Sequence, residues 1–417
     1  VYTFQRIVSL PKDPAAWLVT QMGIDDKNVL SAVKAPDPYT VVISLPTPFS
    51  PGAFLSIVAN IVCGIVDSQT VKAHVQGGDW GSAWLNDHSA GSGPFQLVRW
   101  ERQVAIEVVA NPRYNLRSTP ALGRIVWVTS RENTVQRAML TRGDADVAWD
   151  FSASQLTAIK GDPRYYIVQV PDLAEEYLGM DVKNVPAFAK PEVRRAVRYA
   201  IDYDGIIRDL LNGNGVPLQG VIPKGLFGYT ASLPFTHDAA KAKSLLQEAG
   251  FGNGFTTDLL ASTGTTAGGV TSGDLAAKIK NDLGAVGITV NVRQVASSEL
   301  LKTYRAQQSQ MVVLSWFVDY PDPDDFAKPF GDYTQKSLCW RLQYYNDPLA
   351  KLVGQAATLQ NTPERAAIYN KTNEILTQEG PFAILYQPML SLVVSKRLQH
   401  MVFDPVKHIE FSTLTKQ

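Results

Sequence analysis

The chain has 417 residues, 45% hydrophobic and 19% charged, enough for a large buried core and for two or three domains of about 150 residues. Lysine plus arginine and aspartate plus glutamate each total 39, and a net charge of zero argues against nucleic acid or an anionic membrane as the main partner. No apolar run approaches the roughly 18 residues of a membrane span, and the two cysteines, Cys63 and Cys339, are too few for a disulfide framework and have no zinc-ligand spacing.

The chain opens on Val1-Tyr-Thr-Phe-Gln-Arg, without an initiator Met or a signal peptide, and reads as the middle of a domain. Residues 35–46 predict a turn and a strand, ended by Pro46, Pro48 and Pro51. An apolar segment over 54–66 contains Cys63, which reads as a buried thiol, with pairing to Cys339 as the alternative in an oxidising compartment. A helix is expected over 67–75 and a loop over 77–81. Gly91-Ser-Gly-Pro-Phe95 is a turn cluster, followed by strands over 95–100 and 103–109 and closed by Asn111-Pro-Arg-Tyr114. A strand over 125–128, a helix over 133–141, and the turn and strand Gly143-Asp-Ala-Asp146-Val-Ala-Trp149 come next. Strands over 165–170 and 176–182 follow.

Apolar residues at helical spacing predict one helix over 190–211, with Pro191 in its first turn and Gly213 and Gly215 beyond its end. A second covers 239–249, with Gly250 as its cap. Leu275, Ile279 and Leu283 line a third, and Ile288, Val290 and Val292 alternate as a half-buried strand. The apolar run 311–314 is a buried strand that leads into Ser315-Trp-Phe-Val-Asp319-Tyr-Pro-Asp-Pro-Asp-Asp325-Phe326, a proline-broken acidic loop. Asp347-Pro348 and Thr362-Pro363 open two helices, and 384–394 reads as strands. The alternation of β and α elements, with hairpins, predicts an α/β fold with mixed sheets.

The Trp316…Asp319-Tyr-Pro-Asp-Pro loop resembles the signature of the extracellular solute-binding proteins of family 5, the dipeptide, oligopeptide and nickel receptors of ABC importers. The Gly-Ser-Gly-Pro-Phe…Asn-Pro-Arg-Tyr pair, Val193-Arg-Arg-Ala-Val-Arg-Tyr-Ala-Ile-Asp202 and Ala239-Lys-Ala-Lys-Ser-Leu-Leu-Gln-Glu-Ala-Gly250 are similar to further family motifs in the same order. The resemblance runs from residue 1 to about 410. It implies a two-lobed periplasmic-binding-protein fold, lobes joined by crossing strands near 177–182 and 383–388. The parts would be 1–92 (remainder of an extra subdomain), 93–177 (lobe I), 178–382 (lobe II) and 383–417 (return to lobe I). It also implies that a first portion with a signal sequence lies upstream, a monomer, a periplasmic or extracellular location with or without a lipid anchor, and a membrane permease as partner.

In peptide-binding members the Asp at the position of Asp319 pairs with the ligand's α-amino group. Carried over by position, the ligand-binding candidates are Trp149, Tyr177, Trp316, Asp319, Trp340 and Tyr386. Each has a plainer reading: the aromatics as core, and Asp319 as the cap of the turn before Pro321. Asp322, Asp324 and Asp325 are expected to be a solvated turn and helix cap, since prolines interrupt them and the glycine and distal glutamate of a calcium loop are missing. Dipeptide receptors carry a carboxylate-binding Arg where this chain has residues 261–270, which contain none. A strict dipeptide is therefore replaced by a wider class: a longer or modified peptide, an oligosaccharide or an opine-like solute.

No cofactor is expected, and the five scattered histidines disfavour nickel. A hydrolase using Asp144/Asp146 or Asp202/Asp204 is the enzymatic alternative, but no nucleophile elbow, phosphate loop or zinc motif accompanies them. A receptor-like sensor partner is the third reading.

Overall fold

The computed structural model describes residues 1–10, 14–115, 119–130, 132–149, 151, 153–406 and 408–417. Its backbone is organised by one long strand, Phe382–Ser395. The first half pairs antiparallel with Ala174–Met180, and the second half with Tyr165–Pro171 and Val147–Trp149. Only Asp172 and Leu173 separate Tyr165–Pro171 from Ala174–Met180. The chain thus passes between two halves of the sheet twice, at Asp172-Leu173 and at Gln387-Pro388. The two passages are tied together: Asp172 N donates to Pro388 O (2.9 Å), and the buried Gln387 amide donates to Asp172 O (2.7 Å) and Lys224 O (2.9 Å). This passage precedes the crossing strand read from sequence at 176–182, because Ala174 and Glu175 already pair with Phe317 and Trp316.

On one side of the passage the sheet runs Ile288–Val295, Phe255–Ser262, Met311–Phe317, Ala174–Met180, Phe382–Ser395. The first three strands are mutually parallel and the others antiparallel, which makes it the mixed sheet of an α/β fold. Helices cover both faces. Tight approach at its edge needs glycine: Gly254 has φ +75°, and a Cβ there would lie 1.9 Å from Gly287 O.

Helices Pro191–Ala200 and Ala239–Glu248 pack together on one face. The expected single helix over 190–211 is interrupted. Ile201 leaves helical geometry, and the Asp202 carboxylate accepts from Gly205 N (2.8 Å) to restart the chain at Tyr203–Gly205. The apolar rhythm continues through the break because Ala200, Ile201, Ile206 and Leu211 all enter the same core. The Val-Arg-Arg-Ala-Val-Arg motif also has a structural role: buried Arg198 donates to Phe382 O (2.9 Å) and Leu376 O (3.2 Å), and Arg194 to Glu379 O (3.0 Å). These guanidiniums fasten the C-terminal end of Pro363–Glu379, where carbonyls lack partners.

The N-terminal segment folds into a helical unit. Tyr2–Ser9, Val29–Ala32 and Pro51–Val58 enclose a core of Phe4, Ile7, Val8, Leu18, Val19, Met22, Ile24, Ile57 and Cys63. Cys63 and Cys339 are free thiols in separate cores. One member of the N-terminal core comes from far along the chain: Tyr320, from the acidic loop, is 2% exposed and packs within it. Asn60 Nδ2 donates to Asp319 O (2.9 Å), and Ser50 N to Ala357 O (2.8 Å), across the same junction.

The acidic loop is not the solvated turn expected from its charge. Asp322, Asp324 and Asp325 are all buried. Arg365, on Pro363–Glu379 and itself fully buried, grips Asp322 with both terminal nitrogens (2.7 and 3.0 Å) and donates to Ala356 O (2.9 Å). Asp324 binds Lys328 (2.6 Å) and accepts from Tyr320 Oη (3.0 Å), and Asp325 accepts from Asp319 N (2.7 Å). Sequence shows the prolines and the charges but not the arginine some forty positions later. Removing one partner of a buried pair leaves an uncompensated charge. Asp322→Ala should therefore destabilise the protein by roughly 3–5 kcal/mol, read from its denaturant midpoint at unchanged slope. A loss under 1 kcal/mol would show that the pair does not hold the loop.

Candidate functional site

Between the N-terminal helical unit and the body built on the mixed sheet lies a cleft of about 680 Å³, within the roughly 300–1,000 Å³ of small-molecule sites. Trp17, Asn60 and Ile61 line one side. Tyr177, Leu314, Trp316, Asp319 and Asp325 belong to the other, with Arg305, Lys336 and Arg341 among its remaining lining residues. Strand alternation explains much of this wall, since Leu314, Trp316 and Val318 are two apart and share a face. Trp316 is half-buried and its orientation is locked, because its indole N–H donates to Asp325 O at 3.0 Å.

Asp319 stands at the mouth, its backbone held by Asp325 and Asn60 and its carboxylate in contact with solvent. The protein walls around it nonetheless hold its carboxyl above the ordinary aspartate range. Burial raises Asp325 well above that range, and the neighbouring Asp319 adds to the effect. Both carboxyls are thereby biased toward their neutral forms, Asp325 the more strongly.

The structure brings Tyr177, Trp316 and Asp319 of the sequence candidates to one cleft. Tyr177 contributes from beneath: it is 1% exposed, packs edge-on against Phe330 and Phe382, and its hydroxyl donates to Tyr304 Oη (3.4 Å). The other three lie outside the cleft's lining. Trp149 packs edge-on against Phe403 (5.4 Å) and lines a separate cavity of about 660 Å³ beside Arg124–Val128. Tyr386 is wholly buried in the core under the sheet, and its hydroxyl donates to Thr266 Oγ1 (2.9 Å). Trp340 is half-buried on the short helix Leu338–Arg341, and its carbonyl accepts from Gln307 Nε2 (2.5 Å). Three of the four carboxylates weighed for hydrolysis are engaged by cations: Asp202 by Lys278, Asp144 by Arg142, and Asp146 by Arg397 and Lys416.

Sequence reasoning missed the residues that arrive from elsewhere: Trp17, Asn60 and Ile61 on one side, Arg305, Lys336 and Arg341 on the other. It also missed two glutamates on Ala174–Met180. Their signal was present, since Glu175-Glu176 opens a strand that is otherwise apolar. Both are fully buried. Glu176 accepts from Ser315 Oγ (2.5 Å) and Ala267 N (3.4 Å), yet burial pushes its carboxyl up to about 7. Glu175 has no hydrogen-bond partner among the described residues, and burial raises it well above the glutamate range.

The comparisons with known proteins bear on this cleft. The model of the bacterial extracellular solute-binding proteins, family 5 Middle, matches residues 1–337. The chain belongs to this family. Among family relatives, the probable D,D-dipeptide-binding periplasmic protein DdpA of Escherichia coli K12 is 26% identical over 99% of this chain and 77% of that protein. The glutathione-binding protein GsiB of Shigella flexneri is 26% identical over 89% and 71%. Solved structures of the same fold superpose along the whole chain. HbpA2 from Haemophilus parasuis has a TM-score of 0.84 at 23% identity, and a dipeptide-binding protein from Pseudoalteromonas sp. SM9913 in complex with Met-Leu has 0.78 at 19%; each match covers 100% of this chain and 82% of the other. The architecture is thus that of the periplasmic solute-binding proteins.

The buried glutamates make stability pH-dependent. Below 4.5, the ordinary glutamate value, Glu176 is protonated in both folded and unfolded chains. As pH rises toward 7, the unfolded chain loses this proton while the folded one keeps it, so stability falls. At about 1.4 kcal/mol per pH unit the loss approaches roughly 3 kcal/mol. Glu176→Gln should flatten the decline between pH 4.5 and 7 in denaturant titrations. An unchanged slope would mean that Glu176 ionises normally in the folded protein.

Proposed function

We propose that this solute-binding protein is the receptor of an ABC importer and that its solute is a peptide or peptide-like compound carrying a free amine. The observation that carries the reading is the placement of locked Trp316 and the Asp319/Asp325 pair on one wall of a cleft whose opposite wall is a separate helical unit. Trp316, with Trp17 and Ile61 across from it, supplies apolar burial. Asp319 supplies orientation through a charge-assisted hydrogen bond. The named relatives are binding proteins for D,D-dipeptides and glutathione, which supports a peptide-like solute.

A ligand touching both walls stabilises the closed arrangement over an open one. In this reading the division into 1–92, 93–177, 178–382 and 383–417 is adjusted so that the lobes hinge at Asp172-Leu173 and Gln387-Pro388, where strand partners change. The protein acts as a monomer outside the cytoplasm, periplasmic as its relatives are, and the closed form docks on a membrane permease.

The test is a thermal-shift panel on the full-length protein with di- to pentapeptides, oligosaccharides and opine-like conjugates. At a hundredfold excess over Kd a bound peptide should add about 2.7 kcal/mol and raise Tm by several degrees. A response confined to sugars would overturn the peptide reading. For the peptide that binds, Asp319→Ala should weaken affinity by roughly 1.5–3 kcal/mol, about tenfold or more, and N-acetylating the peptide should cost the wild type as much. If neither change matters, Asp319 serves only the turn.

A further inference from the structure

Glu175 completes a rectangle of side chains whose other three corners line the cleft. Trp316 lies directly opposite Glu175 across the strand pair, and Leu314 directly opposite Tyr177. Residues two apart on a strand share a face of the sheet, and so do partners directly across a ladder. Leu314, Trp316 and Tyr177 all belong to the cleft lining. Glu175 therefore stands on the cleft face, between Tyr177 and the passage at Asp172-Leu173.

This corner is unlike the other three. Glu175 is 0% exposed, and neither of its carboxyl oxygens has a hydrogen-bond partner among the described residues. Its neighbour Glu176 points to the opposite face and is held there by Ser315 and Ala267 N. The flanking strands Met311–Phe317 and Phe382–Ser395 contain no charged residue. The helix packed on the cleft face, Asp324–Gly331, carries Asp324, Asp325 and Lys328, and its lysine is taken by Asp324 at 2.6 Å. Lys224, beside the passage, is exposed and meets Gln387 through its backbone. Burial is what raises the Glu175 carboxyl.

An unsatisfied buried carboxyl is costly, and breaches of this kind gather where a protein meets its ligand. Packing accounts for Leu314, Trp316 and Tyr177, but not for an acid among them. Two unengaged carboxyl oxygens match the parallel N–H donors of a guanidinium, which binds a carboxylate through two hydrogen bonds at once. The apolar corners suit the methylene stem of such a group.

We propose that Glu175 is a specificity residue of the cleft and binds a guanidinium carried by the solute. This assignment rests on the peptide-receptor reading and narrows it: the solute bears an arginine-type side chain, its stem along Trp316 and Tyr177 and its head on Glu175. As the cation arrives, the carboxyl gives its proton to solvent, so the complex buries a neutral ion pair and not a lone charge. Glu175 follows the passage at Asp172-Leu173 by two residues, so movement of one body against the other opens and shuts the face it stands on.

The experiment is equilibrium dialysis of the full-length protein against the tripeptides Arg-Ala-Ala, Ala-Arg-Ala and Ala-Ala-Arg, and against the same set with citrulline, the uncharged isostere, in place of arginine. Retained peptide is quantified by mass spectrometry. For at least one position the wild type should retain the arginine peptide about tenfold or more over its citrulline counterpart. Glu175→Gln, which keeps the shape and removes the charge, should abolish that preference, and Glu175→Asp should keep only part of it. Asp319→Asn should lower retention of both sets and leave the preference in place. Equal retention of arginine and citrulline peptides by the wild type would overturn the role of Glu175 and leave the peptide receptor standing. A preference unchanged in Glu175→Gln would overturn that role as well. Retention of neither set would overturn the peptide reading and this assignment with it. The wild-type comparison needs no variant, and Glu175→Asp carries the test if Glu175→Gln does not fold, an undiminished preference there overturning the assignment.

Discussion

The bidentate pair between Asp322 and Arg365 is the constraint from which the candidate site follows. Both groups are out of water, and each would be costly alone. Together they pin a proline-broken loop onto the helix Pro363–Glu379. With the loop pinned, Tyr320 points into the N-terminal helical core, Asp325 holds the backbone of Asp319, and Trp316 is oriented by Asp325 O. One buried ion pair thus places the aromatic wall, the Asp319 carboxylate proposed to meet the ligand, and the contact between the two bodies.

That contact gives the cleft its character. Its walls belong to segments hundreds of residues apart, joined at Asp319, Tyr320 and Asn60. Behind them, the passages at Asp172-Leu173 and Gln387-Pro388 are short and tied by the Gln387 amide. In the proposed closure, relative motion of the bodies bends a few residues and leaves the strands on either side intact, the economical form of hinge motion. A ligand that bridges the walls adds to contacts already present at the junction, which is how a solute biases such an equilibrium.

The buried acids next to this hinge follow a different logic. Glu175 and Glu176 sit on the strand Ala174–Met180, where every residue is buried, and neither meets a cation among the described residues. Their carboxyls are raised by desolvation, opposite to the salt-bridged Asp162, which Arg164 lowers to about 2. The protein accordingly combines surface acids that favour neutral pH with interior acids that favour mildly acidic conditions.

Much of the architecture was legible in local patterns. Caps and prolines marked the start of Pro363–Glu379, alternation marked Ile288–Val295, and the apolar run into Trp316 marked Met311–Phe317, because these signals act over a few residues. Trp316 and Asp319, which line one cleft, were readable together because one stretch of chain carries both. The break at Asp202 was hidden, since a helix restarted by a cap can keep its apolar face on one core. Trp149, Trp340 and Tyr386 could not be separated from cleft residues by type alone; which face of a strand is covered depends on what packs there. The sequence by itself determined the family and those elements marked by caps, prolines and alternation, and it put Trp316 and Asp319 close together in the chain. Only the tertiary structure decided that Arg365 buries that loop and that Trp17 and Asn60 face it, because pairing and burial depend on distances between segments that no local pattern encodes.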